Sequence, residues 1–325
     1  MSTRSDHEAF ISTRRASTTV GAALERCSLV DGIVGAYLLL LAIAAAAGSG
    51  PMRGSCIALT VAMLGVFLVT IVFARGGFLS RRTTAYGYRL VVLGCLVASY
   101  FLLRWLLPTV RDASYDGDLL RIDRALFGVE PTHWLEQWVT PERTEWFAFF
   151  YLSYFALLAA HLLPMLFLSR QPRLLSEFTL SVVGVWCLGN LLYLVVPGFG
   201  PHHHVSYDVP LPRGTIQDFL MATVASAGAQ KDIFPSLHTA LPTLLFLFAF
   251  RNRAQTPWRY TWPVVGFFAG NIVIATVYLR WHWAIDVVAG LVLAGTMSHL
   301  GPWLAAREAE FRRARGLDNE WPPLD

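Results

Sequence analysis

Long apolar stretches separated by short polar segments dominate the sequence. A helix of about 20 apolar residues crosses the hydrocarbon core of a bilayer. Eight runs approach this length, at 30–48, 56–74, 90–107, 145–168, 177–197, 236–250, 261–279 and 284–304. The sixth run is short and the last two are nearly continuous, so seven spans remain an alternative. The pattern predicts an all-α, polytopic membrane helix bundle of about eight spans.

Arginine placement predicts the orientation of this bundle. With eight spans, most of the 26 basic residues fall in segments on one face of the membrane, together with both termini. Because basic residues are enriched in cytoplasmic loops, we expect that face and both termini to be cytoplasmic. Lys231 is the only lysine among many arginines, which is typical of GC-rich bacterial genomes. We therefore expect an integral protein of the bacterial inner membrane.

One membrane domain, at 29–304, is expected between two polar cytoplasmic tails, at 1–28 and 305–325. The long segment at 108–143 lies on the opposite, extracytoplasmic side. It contains Trp134 and Trp138 within a mixed apolar pattern. That pattern predicts a re-entrant or surface helix at about 112–140.

Composition argues against a soluble globular domain and excludes a disordered chain. The chain is 55% hydrophobic and only 15% charged, with a mean hydropathy of +0.48, whereas a soluble domain is about 25% charged. The net charge of +4 is spread over short gaps between apolar runs, so it indicates membrane topology and no nucleic-acid partner. None of the four cysteines has the spacing of a disulfide framework or a zinc site.

Two segments carry candidate chemistry, and the first is Phe234-Pro-Ser-Leu-His238. Pro235 suits the first turn of a helix. Ser236 and the free N–H groups of that turn could bind an anion with help from the helix dipole. The alternative is an ordinary helix start with a capping serine.

The second segment runs from Tyr278 to Gly290 and contains His282 and Asp286. Four residues apart, these two side chains share one helix face. An aspartate within an apolar span is costly and indicates function, although a structural ion pair is the alternative. We expect Asp286 to accept a hydrogen bond from one His282 nitrogen, so that the other nitrogen becomes a nucleophile or base. His238 lies at the same end of its span, which predicts one extracytoplasmic pocket for all three residues.

The two segments resemble the last two motifs of the type-2 phosphatidic acid phosphatase superfamily. They are most similar to its branch with inositol phosphorylceramide synthase and sphingomyelin synthase. The resemblance implies a six-helix catalytic core and no metal or other cofactor. It implies that His282 is the nucleophile that forms a phosphohistidine and that Asp286 orients it. His238 would be the general acid and then the base, and Ser236 would hold phosphate oxygens.

The chain departs from the phosphatase members at three cationic positions. Their first motif, a lysine, six further residues and then Arg-Pro, falls here at Tyr193 to Gly200-Pro201, so both of its cations are missing. Their arginine six residues before the nucleophilic histidine is replaced here by Thr276. A phosphate monoester carries about −1.5 to −2 charges and a diester carries one, so this loss favours a phosphodiester donor. The candidates for phosphate or head-group contact are Ser236, Arg280, Lys231, His202, His203, Gly200 and Pro201. For the His202–His204 run, a metal site and plain interface residues remain alternatives.

The leading hypothesis is a membrane phosphotransferase acting on lipids. It would move a phosphoinositol-like head group from a phospholipid donor to a lipid alcohol, such as ceramide or diacylglycerol. The same residues would serve a lipid phosphate or polyprenyl diphosphate phosphatase, which is the alternative. A non-catalytic transporter is a third hypothesis, but transporters tend to show internal repeats and helices broken near the midplane. The sequence specifies neither the acceptor nor the oligomeric state.

Overall fold

The structure is a computed structural model that describes residues 23, 25–227, 231–321 and 324. Within these residues every regular element is a helix, which confirms the predicted helical bundle. Seven of these helices are long and apolar enough to cross a membrane, and an eighth apolar helix is shorter. The chain is thus an integral membrane protein. Most of the N-terminal tail expected at 1–28 lies outside the described residues.

Three long helices form the N-terminal part of the bundle, and these are α1 (Leu29–Ala47), α2 (Arg53–Gly76) and α3 (Arg81–Val110). A capping box of Ser28 and Asp31 begins α1, because each side chain accepts a backbone N–H that the helix leaves unpaired. Further along α1, the Tyr37 hydroxyl donates to the Ser99 hydroxyl of α3 at 2.8 Å. Such hydrogen bonds join helices inside a membrane.

Short helices follow α3. They are α4 (Asp116–Phe127), α5 (Pro131–Trp134) and a 3₁₀ turn (Leu135–Trp138). They occupy the segment expected to hold a surface or re-entrant helix, so that segment is helical but divided. Gly128 ends α4 with a φ of 75°, a left-handed conformation that favours glycine.

The remaining helices are α6 (Pro141–Phe167), α7 (Pro172–Val195), α8 (Pro201–His204), α9 (Thr215–Ala227), α10 (Leu237–Arg251), α11 (Trp258–Tyr278) and α12 (Ala284–Ala314). The short apolar helix is α10. Helix α12 continues past residue 304, where the tail was expected to begin. Its last turns are held at the start of α1, since Glu308 accepts the backbone N–H of Leu29 at 3.2 Å and pairs with Arg312 at 3.3 Å.

Close packing of α10 and α12 brings the two chemical segments together. A Cβ atom on Gly290 would lie 2.5 Å from the carbonyl oxygen of Ser236. Only glycine therefore allows α12 to pass this near the start of α10. The far face of the bundle is the end that carries the links 48–52, 111–140, 196–236 and 279–283. Both segments lie there, opposite the arginine-rich links.

Candidate active site

A cavity of about 250 Å³ opens at the far face, where α10 and α12 begin. Both His238 and His282 line it. The rest of its wall is largely aromatic and aliphatic, with side chains from α3, α6, α7 and α9. The fold therefore brings two of the three predicted catalytic side chains to one cavity.

The tight link between α11 and α12 fixes the imidazole of His282. The backbone N–H of His282 donates to the Thr276 carbonyl at 3.1 Å. The ring atom Nδ1 lies 2.9 Å from the Ile233 carbonyl oxygen. Because a carbonyl only accepts, Nδ1 carries the proton and Nε2 keeps its lone pair. Burial lowers the pKa of His282 to about 4, and the charge of Asp232 opposes this shift.

Asp286 lies behind His282, but it is not the partner that was expected. Its nearest oxygen is 3.5 Å from Nδ1 of His282, and the hydrogen bond goes to the Ile233 carbonyl instead. The reason is the position of Asp286 as the third residue of α12, where Oδ2 accepts the backbone N–H of Trp283 at 2.9 Å. Asp286 thus caps the helix and places a buried carboxylate beside His282.

His238 lies in the first turn of α10, between two tyrosine rings. The ring centroids of Tyr151 and Tyr154 are 4.3 and 4.2 Å from that of His238. The His282 ring is 6.1 Å away. Atom Nε2 of His238 is buried without a hydrogen-bond partner among the described residues. A buried polar atom without a partner at a cavity wall indicates a place for a substrate atom.

Ser236 uses its polar groups within the fold. Its hydroxyl oxygen accepts the backbone N–H of Thr239 at 3.2 Å, which caps α10. Its backbone N–H donates to the Asp286 carbonyl at 3.0 Å. Ser236 is buried outside the cavity wall, so the helix start takes up the hydroxyl that was expected to hold phosphate.

The segment around Gly200 divides the other predicted contacts. Gly200 has a φ of 87°, and a Cβ atom there would lie 2.3 Å from the Trp281 carbonyl oxygen, so it shapes the link. Pro201 is buried at the start of α8. Of the residues proposed for head-group contact, His202 and His203 line the cavity.

Two cationic side chains that could replace the lost charges point elsewhere. Arg280 donates from Nη2 to the Val209 carbonyl at 2.6 Å and lies 3.6 Å from Glu136. Lys231 donates from Nζ to the Asp112 carbonyl at 2.9 Å. Both side chains are buried, and no lysine or arginine lines the cavity in the part of the chain that is described.

An acidic side chain that the sequence did not single out also lines the cavity. Asp232 lies six residues before His238 and faces the same space as His282. Burial raises the pKa of Asp232, while the charge of His282 and a hydrogen bond from Tyr100 act in the opposite direction. The sequence offered one signal for this role, namely that an aspartate stands close to the motif that contains His238. The same link also contains Asp208 and Asp218, so this signal did not distinguish Asp232 from the other two aspartates.

Helix α4 holds the cavity from outside through two further aspartates. Both oxygens of Asp123 accept backbone N–H groups at the start of α12. Asp116 accepts the N–H groups of Phe199 and Gly200, both at 2.8 Å, and the indole N–H of Trp283 at 2.9 Å. The seven-residue spacing of these acids places them on one helix face, which was the signal in the sequence.

One family model matches the chain, and its description is PAP2 superfamily. It covers residues 117–300, which is more than half of the sequence and includes His238, His282 and Asp286. No curated protein and no solved structure matches the chain.

Proposed function

The chain belongs to the PAP2 superfamily, whose members are generally phosphatases or phosphotransferases, and from this premise we propose a specific reaction. The protein moves a phospho-head group from a phospholipid to a lipid alcohol through a phosphohistidine at His282. Three features of the cavity support this proposal, and they concern the nucleophile, the charge of the wall and its polarity.

The hydrogen bond between His282 and the Ile233 carbonyl carries the proposal. It directs the proton to Nδ1, so Nε2 is a free nucleophile at the cavity wall. Asp286, 3.5 Å from Nδ1, favours the positive charge that the imidazole gains as its nitrogen bonds to phosphorus.

The reaction then takes two steps. Nε2 of His282 attacks phosphorus, the bond from phosphorus to the glycerol oxygen breaks, and protonated His238 gives its proton to that oxygen. Diacylglycerol leaves, and the phospho-head group remains on His282. In the second step the acceptor hydroxyl gives its proton to His238, and its oxygen attacks phosphorus. The phosphorus–nitrogen bond breaks, which restores His282 and leaves His238 protonated for the next donor.

The charge of the cavity favours a phosphodiester donor. The wall has no lysine or arginine in its described part, and both candidate replacements hold backbone carbonyls outside it. A diester with one negative charge needs less compensation than a monoester with about −1.5 to −2 charges. Phosphatidylinositol meets this requirement. It is also the type of donor that the resemblance to inositol phosphorylceramide synthase implies.

The polarity of the wall favours a lipid acceptor over water. Helix α9 contributes Leu220 and Val224, α7 contributes Trp186, and α6 contributes Leu158. Apolar and aromatic walls with a few placed polar groups are typical of sites for small organic ligands. The site lies on the face opposite the arginine-rich links, so we propose that it faces the extracytoplasmic side.

A transfer assay tests the proposal. Purified protein in detergent is given a fluorescent acceptor, either ceramide or diacylglycerol, with phosphatidylinositol as donor and phosphatidic acid in a parallel reaction. The His282→Ala variant is the control. A new fluorescent phospholipid that depends on His282 supports transfer. Free phosphate from phosphatidic acid without any tagged product makes the protein a phosphatase. Full activity of His282→Ala overturns the phosphohistidine step for both reactions.

A further inference from the structure

We propose that Asp232 determines specificity by charge. Its carboxylate in the cavity wall disfavours phosphate monoesters and thereby directs the site towards phosphodiesters. The inference rests on the proposed function and names the substrate class that the site rejects.

Asp232 lies beside the position that the reacting phosphorus would occupy. It directly precedes Ile233, whose carbonyl fixes His282, and it lines the same cavity as both histidines. Phosphorus bonded to Nε2 of His282 therefore lies in the space that the Asp232 carboxylate faces. The neighbouring carboxylate of Asp286 lies behind the imidazole and outside the cavity wall.

The phenol groups around Asp232 do not compensate its charge. The hydroxyl of Tyr100 interacts with its carboxylate, and the rings of Tyr151, Tyr154 and Tyr193 line the same space. These phenols are neutral. The adjacent Lys231 turns away to the Asp112 carbonyl at 2.9 Å and to the ring of Phe199. No lysine or arginine of the described wall therefore offsets the charge of Asp232.

The repulsion between two negative groups depends on the charge of the substrate. A monoester brings up to one unit more negative charge than a diester to the same place. In a partly open cavity with a largely apolar wall, the effective dielectric constant is below that of water, and one additional unit charge a few ångströms from a carboxylate costs enough to change a rate constant by about tenfold or more. The carboxylate thus discriminates against the dianion without any contact to the head group.

A purely structural role for Asp232 has a different consequence. If the carboxylate only anchored Tyr100, its loss would reduce the use of both substrates by the same factor. The ratio of kcat/KM for phosphatidic acid to kcat/KM for phosphatidylinositol separates the two roles, because general damage to the site cancels in that ratio.

The test measures this ratio in the wild-type protein and in three variants. We expect Asp232→Asn to raise it about tenfold, and Asp232→Glu, which keeps the charge, to leave it close to the wild-type value. The control is Asp208→Asn, which removes the same charge from an exposed position in the same link and leaves the ratio unchanged. An unchanged or lower ratio in Asp232→Asn overturns the inference.

A second measurement does not depend on the folding of a variant. In the wild-type protein, dimethyl phosphate, a monoanion, is expected to inhibit more strongly than methyl phosphate, largely a dianion at pH 8. The opposite order overturns the charge argument. The His282→Ala control separates this inference from the proposed function. If that variant is inactive while the Asp232→Asn ratio is unchanged, only the specificity argument is wrong.

Discussion

The carboxylate of Asp123 lies at the start of α12, where it accepts the backbone N–H of Ala284 at 2.7 Å. Its second oxygen accepts the next N–H, from Ile285, at 2.8 Å. A helix start leaves such donors unpaired and attracts negative charge. Because Asp123 occupies both donors, this helix start is closed to phosphate, and α4 instead fixes the link that carries His282.

Replacement of Asp123 is expected to reduce catalysis more than substrate binding. Asp123→Ala removes a helix cap worth about 1 kcal/mol and releases the backbone two residues after His282. We expect kcat for transfer to fall at least tenfold with KM changed less than threefold, and a lower thermal unfolding temperature. Asp123→Asn, whose amide oxygen still accepts one N–H, should recover part of kcat. The matched control is Asp118→Ala, an acid on the same helix whose side chain is 49% exposed and pairs with Arg121. Wild-type kcat in Asp123→Ala would show that α4 does not position the nucleophile.

The spans and the proximity of His282 to Asp286 could be predicted because their signals are local. Apolar length identifies a membrane helix without any knowledge of its neighbours, and the seven long helices match the predicted runs. The four-residue spacing of His282 and Asp286 likewise predicts that they lie close together, although His282 belongs to the link before α12 and does not share a helix face with Asp286.

Side-chain direction and backbone partners could not be predicted, because they depend on residues far apart in the sequence. Lys231 is held by the carbonyl of Asp112, more than a hundred residues earlier. The acceptor of the His282 proton is the backbone carbonyl of Ile233. Because every residue has a backbone carbonyl, the sequence does not indicate which of them would accept this proton. Asp123 accepts a backbone N–H at the start of α12, 161 residues later in the sequence. Its role is therefore visible only in the folded chain, where α4 packs against the start of α12.

The close approach of α10 and α12 gives a prediction with a control on the same helix. A Cβ atom on Gly290 would lie 2.5 Å from the Ser236 carbonyl oxygen, whereas one on Gly295 would meet nothing within 4 Å. Gly290→Ala must separate the helices, and we expect a loss of about 1–3 kcal/mol in unfolding free energy and most of the activity. Gly295→Ala should retain both, since alanine favours a helix over glycine. Unfolding curves in detergent and the transfer assay decide this, and equal behaviour of the two variants would contradict it.

The pH dependence of His282 is expected to be that of a buried imidazole. Burial lowers its pKa from 6.5 to about 4, so the nucleophile stays neutral at every pH above that value. With a donor whose leaving group needs no protonation, the rate of phosphoenzyme formation should be level from pH 7 to 5 and fall to half near pH 4. Because the charge of Asp232 raises this pKa, Asp232→Asn should move the midpoint lower. A midpoint near 6.5 would indicate a solvated imidazole and contradict the structure.

The same shift predicts how stability changes with pH. The folded-state pKa of His282 lies below that of an unfolded histidine, so protons bind preferentially to the unfolded chain between pH 6.5 and about 4. The contribution of His282 to stability is present above pH 6.5 and is lost as the pH falls through this window. His282→Asn should therefore show a weaker loss of unfolding temperature from pH 7 to 4.5 than the wild-type protein. Identical pH profiles would mean that His282 is not buried in the neutral form.

The position of His238 predicts that its importance depends on the leaving group. Its Nε2 atom is buried without a partner among the described residues, and its ring packs between the stacked ring of Tyr151 and the tilted ring of Tyr154. A general acid of this kind contributes about 10²–10⁴-fold when the departing alkoxide is a strong base. His238→Ala should therefore slow transfer from phosphatidylinositol by that factor. It should slow release of nitrophenol from a nitrophenyl phosphodiester less than tenfold, because nitrophenolate departs without a proton.

The control for this prediction is Tyr151→Phe, which keeps the stacked ring and removes only its hydroxyl. It should leave the ratio of the two rates unchanged. Equal losses with both donors in His238→Ala would assign His238 to substrate placement, and the proton of the departing oxygen would then have to come from another group in the cavity.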